Sequence, residues 1–257
     1  MAGDWADFTH KFQLGSCVDG GVNLVDDVDK WRLDGAHELR PRYNIAPCAT
    51  SGHDVPVVGA SGLSLARFWY VPSWWNQPLS QLPTAFNARS EELSQKKFFR
   101  GFRRVLIPTS GWREFVRDGN QKRAFAFERG AQEAGGGEFF SFAGIASDFI
   151  DPVSREAATG FAILTTIASP LVRPYHHRMP LLLPQEAQES WLDDKESFEG
   201  LVKRLTLLSH QAHHDRASPL SVYEVSTWGN STRVEGPACM LPIEQMPQQE
   251  RQQKLFD

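Results

Sequence analysis

The sequence predicts one α+β domain that is built largely from antiparallel β-sheet and has a few helices at its periphery. Short runs rich in β-branched and aromatic residues recur along the chain, with turn-forming residues between them. Helical periodicity is confined to a few segments. Strands and helices do not alternate regularly, and the sequence has no Gly-x-Gly-x-x-Gly. A doubly wound dinucleotide-binding fold is therefore not expected.

The strands are predicted from short apolar runs bounded by turn residues. Thr109-Ser110-Gly111 has a turn composition and joins two of these runs. The segment GAQEAGGG at 130–137 has strand-like flanks, so it is predicted to be a flexible hairpin loop. The predicted strands are residues 55–58, 63–70, 103–108, 112–116, 124–128, 138–146, 160–168, 221–227 and 238–243.

Helices are predicted at fewer places. Pro184 is in a favourable position to begin a helix over 185–193. Apolar side chains from Phe198 to Leu208 follow the spacing of one helical face, which predicts an amphipathic helix. Residues 91–100 and Asp4–Leu14 are two further candidates. We expect residues 1–243 to form the domain, and the polar, glutamine-rich residues 244–257 to form a mobile tail.

The composition argues against several classes of protein. A chain of 257 residues, 41% of them hydrophobic, buries a sizeable core without metal or disulfide staples. Three cysteines and no Cys-x-x-Cys argue against a disulfide framework and fit a reducing, cytoplasmic location. The start of the sequence lacks the features of a signal peptide, and no apolar run reaches the ~18 residues that span a bilayer. Neither a metal nor another cofactor is predicted.

The net charge of −4 conceals an uneven distribution of charge. Residues 1–39 contain eight acidic and three basic residues, whereas residues 95–129 contain ten basic and three acidic ones. A basic stretch inside an acidic protein is a candidate phosphate-binding surface. The alternative is a solvated face whose charges pair with the acidic segments.

Four short clusters contain the side chains best suited to chemistry: PSWW at 72–75, NARSEE at 87–92, GWRE at 111–114 and YHHRMP at 175–180. A tryptophan beside a turn either packs at the edge of a core or stacks on a nucleic-acid base. Asparagine and arginine together suit a carbonyl or phosphate ligand. Core packing and ordinary ion pairs are the alternative interpretations.

Glu114 and the two histidines are the titratable candidates. Near Arg113 the Glu114 carboxylate would stay ionised, whereas a desolvated carboxyl would hold a proton near neutral pH and could serve as a general acid. His176 and His177 are adjacent, so in a strand they would point apart, and no partner with metal-ligand spacing accompanies them.

Taken together, the clusters resemble motifs of the SOS-response-associated peptidase (SRAP) family in both their residues and their order along the chain. NARSE and His-x-Arg-Met-Pro are the most specific matches. The resemblance implies a single SRAP-like domain with a largely antiparallel, barrel-like sheet. The matching segments are RYNIAP (42–47), VPSW (71–74), NARSE (87–91), RRVLIP (103–108) with GWRE (111–114), FAG (142–144), AILTT (162–166), HHRMP (176–180) and VSTWGN (225–230).

The resemblance also implies a function in the DNA-damage (SOS) response. SRAP proteins sense abasic sites in single-stranded DNA, where an N-terminal cysteine forms a Schiff base with the open sugar and then a thiazolidine crosslink. By position, the family's asparagine, glutamate and histidine correspond to Asn87, Glu114 and His176. The residues that the resemblance assigns to phosphate or base contacts are Trp74, Arg89, Arg103, Arg104 and Arg178.

The amino end departs from the family. If MAGDW aligns with the family's Met-Cys-Gly-Arg, Ala2 replaces the nucleophilic cysteine and Asp4 replaces an arginine. Without the thiol, position 2 cannot close a thiazolidine. Cys17 has no assigned counterpart, and Cys48 lacks a neighbouring α-amine and is expected to be a small core residue.

Three hypotheses follow. The protein binds single-stranded or abasic DNA and forms a transient imine through the Ala2 amine, with weak lyase activity. Alternatively, it is a catalytically inactive DNA- or protein-binding module. The third possibility is an unrelated hydrolase with a cysteine and His176 as its dyad.

The end of the chain suggests a separate partner. Gln252, Leu255 and Phe256 match the Gln-x-x-Leu-Phe pattern of peptides that dock on bacterial sliding clamps. A terminal Leu-Phe anchor suits an apolar groove, and a floppy terminus without a partner is the alternative.

Overall fold

Two sheets and two α-helices make up most of the structure, a computed structural model that describes residues 42–49, 54–119, 121–130, 140–193, 195–212 and 219–246. The strands are β1 Val55–Gly59, β2 Gly62–Ala66, β3 Asn87–Arg89, β4 Arg103–Thr109, β5 Gly111–Asp118, β6 Gln121–Arg129, β7 Phe140–Ile150, β8 Ala157–Ile167, β9 Arg178–Pro180, β10 Leu182–Leu183 and β11 Leu220–Val225. The α-helices are α1 Gln185–Leu192 and α2 Phe198–Ala212. Short 3-10 helices span Leu79–Gln81, Ser90–Gln95, Lys97–Phe99, Thr227–Asn230, Pro237–Met240 and Ile243–Gln245.

The larger sheet has the order β2-β1-β4-β7-β8-β3, with β10 added on β7 and β9 on β8. Its ladders are antiparallel except for β3, which runs parallel to β8. The smaller sheet is the antiparallel set β11-β6-β5. The predicted antiparallel α+β class is therefore confirmed.

The larger sheet curls but does not close into a barrel over the described ranges. Arg67, directly after β2, makes a single isolated bridge to Gly160 of β8. No ladder continues from that bridge, so the barrel-like character implied by the resemblance is limited to this contact.

The main core lies between the larger sheet and the two helices. Leu201 and Leu205 of α2 are fully buried there, which confirms the predicted amphipathic helix. Trp191 of α1 is also fully buried, and its indole N–H donates to the Val105 carbonyl oxygen of β4 at 2.9 Å. Neither helix has the length and apolar character that crossing a bilayer requires.

Trp112 on β5 connects the two sheets. Its ring stacks on Phe127 of β6 at 4.7 Å and meets Phe142 of β7 edge-on at 5.8 Å. At the β4–β5 connection the chain passes from one sheet to the other. A Cβ on Gly111 would lie 2.6 Å from the Phe127 carbonyl oxygen, so this close approach requires glycine.

Several local predictions were wrong. The strands beside 130–137 belong to different sheets, since β6 pairs with β5 and β11 while β7 pairs with β4 and β8, so this segment does not close a hairpin. Residues 91–100 form two 3-10 helices rather than an α-helix, and most of 238–243 is 3-10 rather than strand. The short strands β3, β9 and β10 were not predicted because two or three residues show no periodicity.

The chain ends lie mostly outside the described residues. The helix expected at Asp4–Leu14 and residues 247–257 of the expected tail are among them. Met246, three residues past the expected domain boundary, is buried.

Candidate functional site

A cleft of about 280 Å³ lies where β3, β5, β8 and the start of β9 approach one another. Three sequence clusters that are far apart in the chain, NARSEE, GWRE and YHHRMP, each contribute side chains to it. The lining residues are Asn87, Arg89, Glu114, Thr165, His176, Arg178, Met179 and Pro180.

Strand β3 brings Asn87 and Arg89 to the cleft. It pairs in parallel with β8, with Asn87 opposite Ile163 and Arg89 opposite Thr165. Because side chains alternate along a strand, Ala88 points into the core while Asn87 and Arg89 share the exposed face. An amide and a guanidinium are thus presented side by side.

Glu114 reaches the cleft by the same alternation on β5. Trp112 and Glu114 lie on one face of the smaller sheet, and Arg113 lies on the other. The Glu114 side chain is only 17% exposed, and its ion-pair partner among the described residues is His176. Burial raises the pKa of Glu114 to about 7. The charge of His176 and, to a smaller extent, the Trp112 indole lower the pKa but do not outweigh burial.

His176 is held beside Glu114 by the turn that precedes β9. Its backbone N–H donates to the Val172 carbonyl oxygen at 3.1 Å. Its Nδ1 lies 2.8 Å from the Arg178 carbonyl oxygen and 3.8 Å from Oε2 of Glu114. Since these residues form a turn, the rings of His176 and His177 lie 4.5 Å apart instead of pointing away from each other as a strand would require.

The two arginines of the cleft differ in burial and in their ion-pair partners. Arg178 makes a two-pronged ion pair with Glu91, and its Nη2 also donates to the Thr165 carbonyl oxygen at 2.6 Å. Burial and these contacts fix its guanidinium between β9 and the 3-10 helix Ser90–Gln95. Arg89 is exposed, and its Nη1 donates to Oε1 of Glu92 at 2.7 Å.

The sequence is similar to that of a known protein family over most of its length. The sequence profile of the family described as SOS response associated peptidase (SRAP) matches residues 18–232. The chain belongs to the SRAP family.

The relatives of this SRAP protein are distant but extensive. It is 28% identical over 243 residues to the abasic site processing protein HMCES of Gallus gallus, with 84% of this chain and 69% of that protein covered. It is 26% identical over 231 residues to the abasic site processing protein YoqW of Bacillus subtilis, with 88% and 96% covered. A crystal structure of a Bacteroides thetaiotaomicron protein shares the fold, with a TM-score of 0.57, 21% identity, and 72% and 78% covered.

The structure of this SRAP protein brings together five of the nine residues assigned from sequence: Asn87, Glu114, His176, Arg89 and Arg178. Trp74 does not line the cleft, but its ring is 55% exposed and packs edge-on against Phe98 at 6.3 Å. Ala2 lies outside the described residues and before the range that the family profile matches.

Arg103 and Arg104 do not line the cleft. Arg104 is buried, and its guanidinium donates to the carbonyl oxygens of Asp193 and Glu196 at 2.7 and 2.9 Å. Arg103 pairs with Asp148 at 3.0 Å. None of the ten basic residues of 95–129 is among the lining residues, so the basic stretch does not converge on the cleft as expected.

The two cysteines within the described ranges do not line the cleft with His176. Cys48 is half-buried, and Cys239 is fully buried. Within the described ranges, no group of three or more His, Cys, Asp or Glu side chains has the arrangement of a metal site.

Sequence reasoning missed a polar network on the opposite face of the smaller sheet. The Arg113 guanidinium donates to Oδ1 of Asn44, and Nδ2 of Asn44 donates to the Ser231 and Val234 carbonyl oxygens at 2.9 and 2.7 Å. Oε1 of Glu235 accepts from the backbone N–H groups of Tyr43 and Asn44. This network ties the RYNIAP segment to residues 231–235.

Proposed function

We propose that this SRAP protein binds single-stranded DNA at an abasic site and processes that site in the DNA-damage response. The observation that supports this most directly is the convergence of Asn87, Glu114 and His176 on one cleft, where burial raises the pKa of Glu114 to about 7. Relatives that are named abasic site processing proteins cover most of the chain.

The ring-opened abasic sugar is an aldehyde, and its capture by an amine needs both a proton donor and a proton acceptor. When the amine nitrogen adds to C1′, a C–N bond forms and the carbonyl oxygen takes up a proton. Loss of that oxygen as water then gives the imine. A carboxyl group with a pKa of about 7 is suited to both proton transfers at neutral pH, because both of its protonation states are populated.

The other cleft residues have supporting roles in this proposal. The amide of Asn87 would hydrogen-bond the sugar or the attacking terminus, and His176 would exchange protons with Glu114 or with the departing water. Arg89 would bind a backbone phosphate, and Trp74 would stack on a neighbouring base. Arg178 would act by holding the cleft in shape through Glu91 and Thr165.

The proposed nucleophile is the α-amine of Ala2 after removal of Met1. An alanine supplies the amine but no thiol, so the imine would not become a thiazolidine. From the imine, loss of a C2′ proton would break the C3′–O bond and release the 3′ phosphate, which is the β-elimination of a lyase.

Incubation of the purified full-length protein with abasic single-stranded DNA, with and without borohydride, tests this function. We expect a protein–DNA adduct on a denaturing gel only when borohydride is present, and slow strand cleavage without it. Acetylation of the N-terminus should abolish trapping. A heat-stable adduct without reductant, or trapping that survives acetylation, would contradict the proposed nucleophile.

If Ala2 stands where the family has its cysteine, a second candidate follows, a module that binds DNA or protein without catalysis. It predicts affinity for single-stranded DNA that falls steeply with salt, together with no trapping at all. The same gel and a salt titration therefore separate the two candidates.

The sliding-clamp hypothesis is independent of the cleft. Deletion of residues 252–257 should abolish retention of the protein on an immobilised bacterial clamp if Gln252, Leu255 and Phe256 are the anchor. Unchanged retention would contradict it.

A further inference from the structure

Two consecutive glutamates of one 3-10 helix each hold one of the two arginines of the cleft. Glu91 pairs with Arg178, and Glu92 pairs with Arg89. In each pair a carboxylate takes guanidinium N–H donors of the kind that also bind phosphate. The two pairs differ in how easily they are broken.

The Arg178–Glu91 pair is built into the fold. The Arg178 side chain is only 11% exposed, and its Nη2 also donates to the Thr165 carbonyl oxygen. A phosphate that displaced Glu91 would have to reach a nearly buried guanidinium, so this pair is expected to persist when DNA binds.

The Arg89–Glu92 pair is exposed. The Arg89 side chain is 55% exposed, and the single contact between the two residues is 2.7 Å long. Oε2 of Glu92 is also held by Nζ of Lys96 at 2.8 Å, which keeps the carboxylate in place. Exposed pairs of this kind are individually weak, so a phosphate with its own charge is able to displace the carboxylate.

We propose that Glu92 competes with the DNA backbone for Arg89. This competition lowers the affinity of the cleft for single-stranded DNA and makes that affinity less dependent on salt. The proposal rests on the proposed function for the location of the DNA. Lys96 and then Arg89 lower the pKa of Glu92 to about 2, so the competitor stays ionised throughout the neutral range.

Binding of a fluorescent, undamaged oligothymidylate to the full-length protein, followed by anisotropy at several salt concentrations, tests the proposal. Glu92→Gln should tighten binding about threefold at low salt. It should also make the dependence of log K on log salt steeper by about 0.7 for one newly bound phosphate. No change in affinity or slope would overturn the proposal.

Two matched variants control for other causes. Glu91→Gln removes the same charge one residue away but leaves Arg178 nearly buried, so it should not tighten binding. The double variant Arg89→Gln with Glu92→Gln should lose the gain. An equal gain in Glu91→Gln, or a gain that persists in the double variant, would mean that net charge or Lys96 is responsible and would overturn the role of Glu92.

The abasic chemistry is tested separately, by borohydride trapping of the wild-type protein. Failure of trapping while Glu92→Gln still tightens binding to the undamaged strand would overturn the proposed function alone. Absence of measurable binding of the undamaged strand by both the wild type and Glu92→Gln would overturn the inference alone.

Discussion

Arg113 and Glu114 are neighbours on β5, yet the structure uses them in opposite ways. Arg113 faces the RYNIAP segment and residues 231–235, where it donates a hydrogen bond to Asn44. Glu114 faces the cleft, where burial raises its pKa to about 7 and His176 Nδ1 lies 3.8 Å from its Oε2. Burial lowers the pKa of Arg113 and raises that of Glu114, so each face of the sheet disfavours the charged form. Among the described residues, Arg113 has Asn44 as a hydrogen-bond partner, whereas Glu114 has His176 in the cleft.

The different surroundings of Arg113 and Glu114 bear on whether the carboxyl group of the GWRE motif is ionised. The sequence left open whether Arg113 keeps Glu114 ionised or burial keeps it protonated. Alternation along a strand sends these adjacent side chains to opposite faces, so Arg113 does not lie beside the carboxyl group. Desolvation therefore dominates at Glu114. A group left in this state at the edge of a cleft is typical of a catalytic acid or base.

Glu114→Gln gives the largest expected effect, because it removes the proton donor and keeps the shape of the side chain. We expect the rate of borohydride-dependent trapping to fall at least about 100-fold, with little change in affinity for single-stranded DNA. Glu224→Gln is a matched control, since Glu224 is on the same sheet but pairs with Arg123 and does not line the cleft. Equal losses in the two variants would contradict a specific role for Glu114.

The pH dependence of stability tests the cost of burying Glu114. Its pKa is 4.5 when unfolded and about 7 when folded, so between these values the folded state holds a proton that the unfolded state has lost. The free energy of unfolding of the wild type should therefore fall as pH rises from 4.5 to 7 and then level off. Relative to Glu114→Gln the total fall should be about 3 kcal/mol. Parallel urea-denaturation curves of the two proteins across this range would contradict the shifted pKa.

Arg113→Ala should affect stability rather than chemistry. Loss of the donor to the buried Asn44 should lower the free energy of unfolding by about 2 kcal/mol, and the trapping rate of the folded protein should not change. Gly229→Ala provides an independent check, because its Cβ would lie 1.8 Å from Nη1 of Arg113. A neutral Gly229→Ala would show that the guanidinium is not fixed there, and a loss of trapping in Arg113→Ala would mean that the two faces are coupled.

Much of the candidate site was predictable because its residues belong to contiguous motifs. NARSE places Asn87 and Arg89 two residues apart, and in any strand such residues share a face. The motif order then brings Glu114 and His176 to the same cleft through the family resemblance. The convergence of these residues on one cleft cannot be predicted from composition, because β3, β5 and the turn before β9 come from three separate parts of the chain.

The partners of charged groups were not predictable. Nothing in the sequence indicates that Arg178 pairs with Glu91, 87 positions away, or that Arg113 pairs with Asn44, 69 positions away. The run 95–129 is basic in sequence, but its side chains alternate between faces of two different sheets. A charge run therefore predicts a common surface only if its residues also share a face.

Arg103 and Arg104 on β4 are also adjacent residues with different surroundings, and Arg103→Gln has the smallest expected effect of all. Arg104 binds two carbonyl oxygens and lies over the rings of Trp191 and Phe198, so Arg104→Gln should destabilise the protein by about 2 kcal/mol. Arg103 lies in an exposed pair with Asp148, so Arg103→Gln should change the free energy of unfolding by less than about 0.5 kcal/mol. It should also weaken single-stranded DNA binding less than Arg89→Gln does, because Arg103 does not line the cleft. A larger loss of DNA affinity in Arg103→Gln would extend the binding surface from the cleft to the outer face of β4.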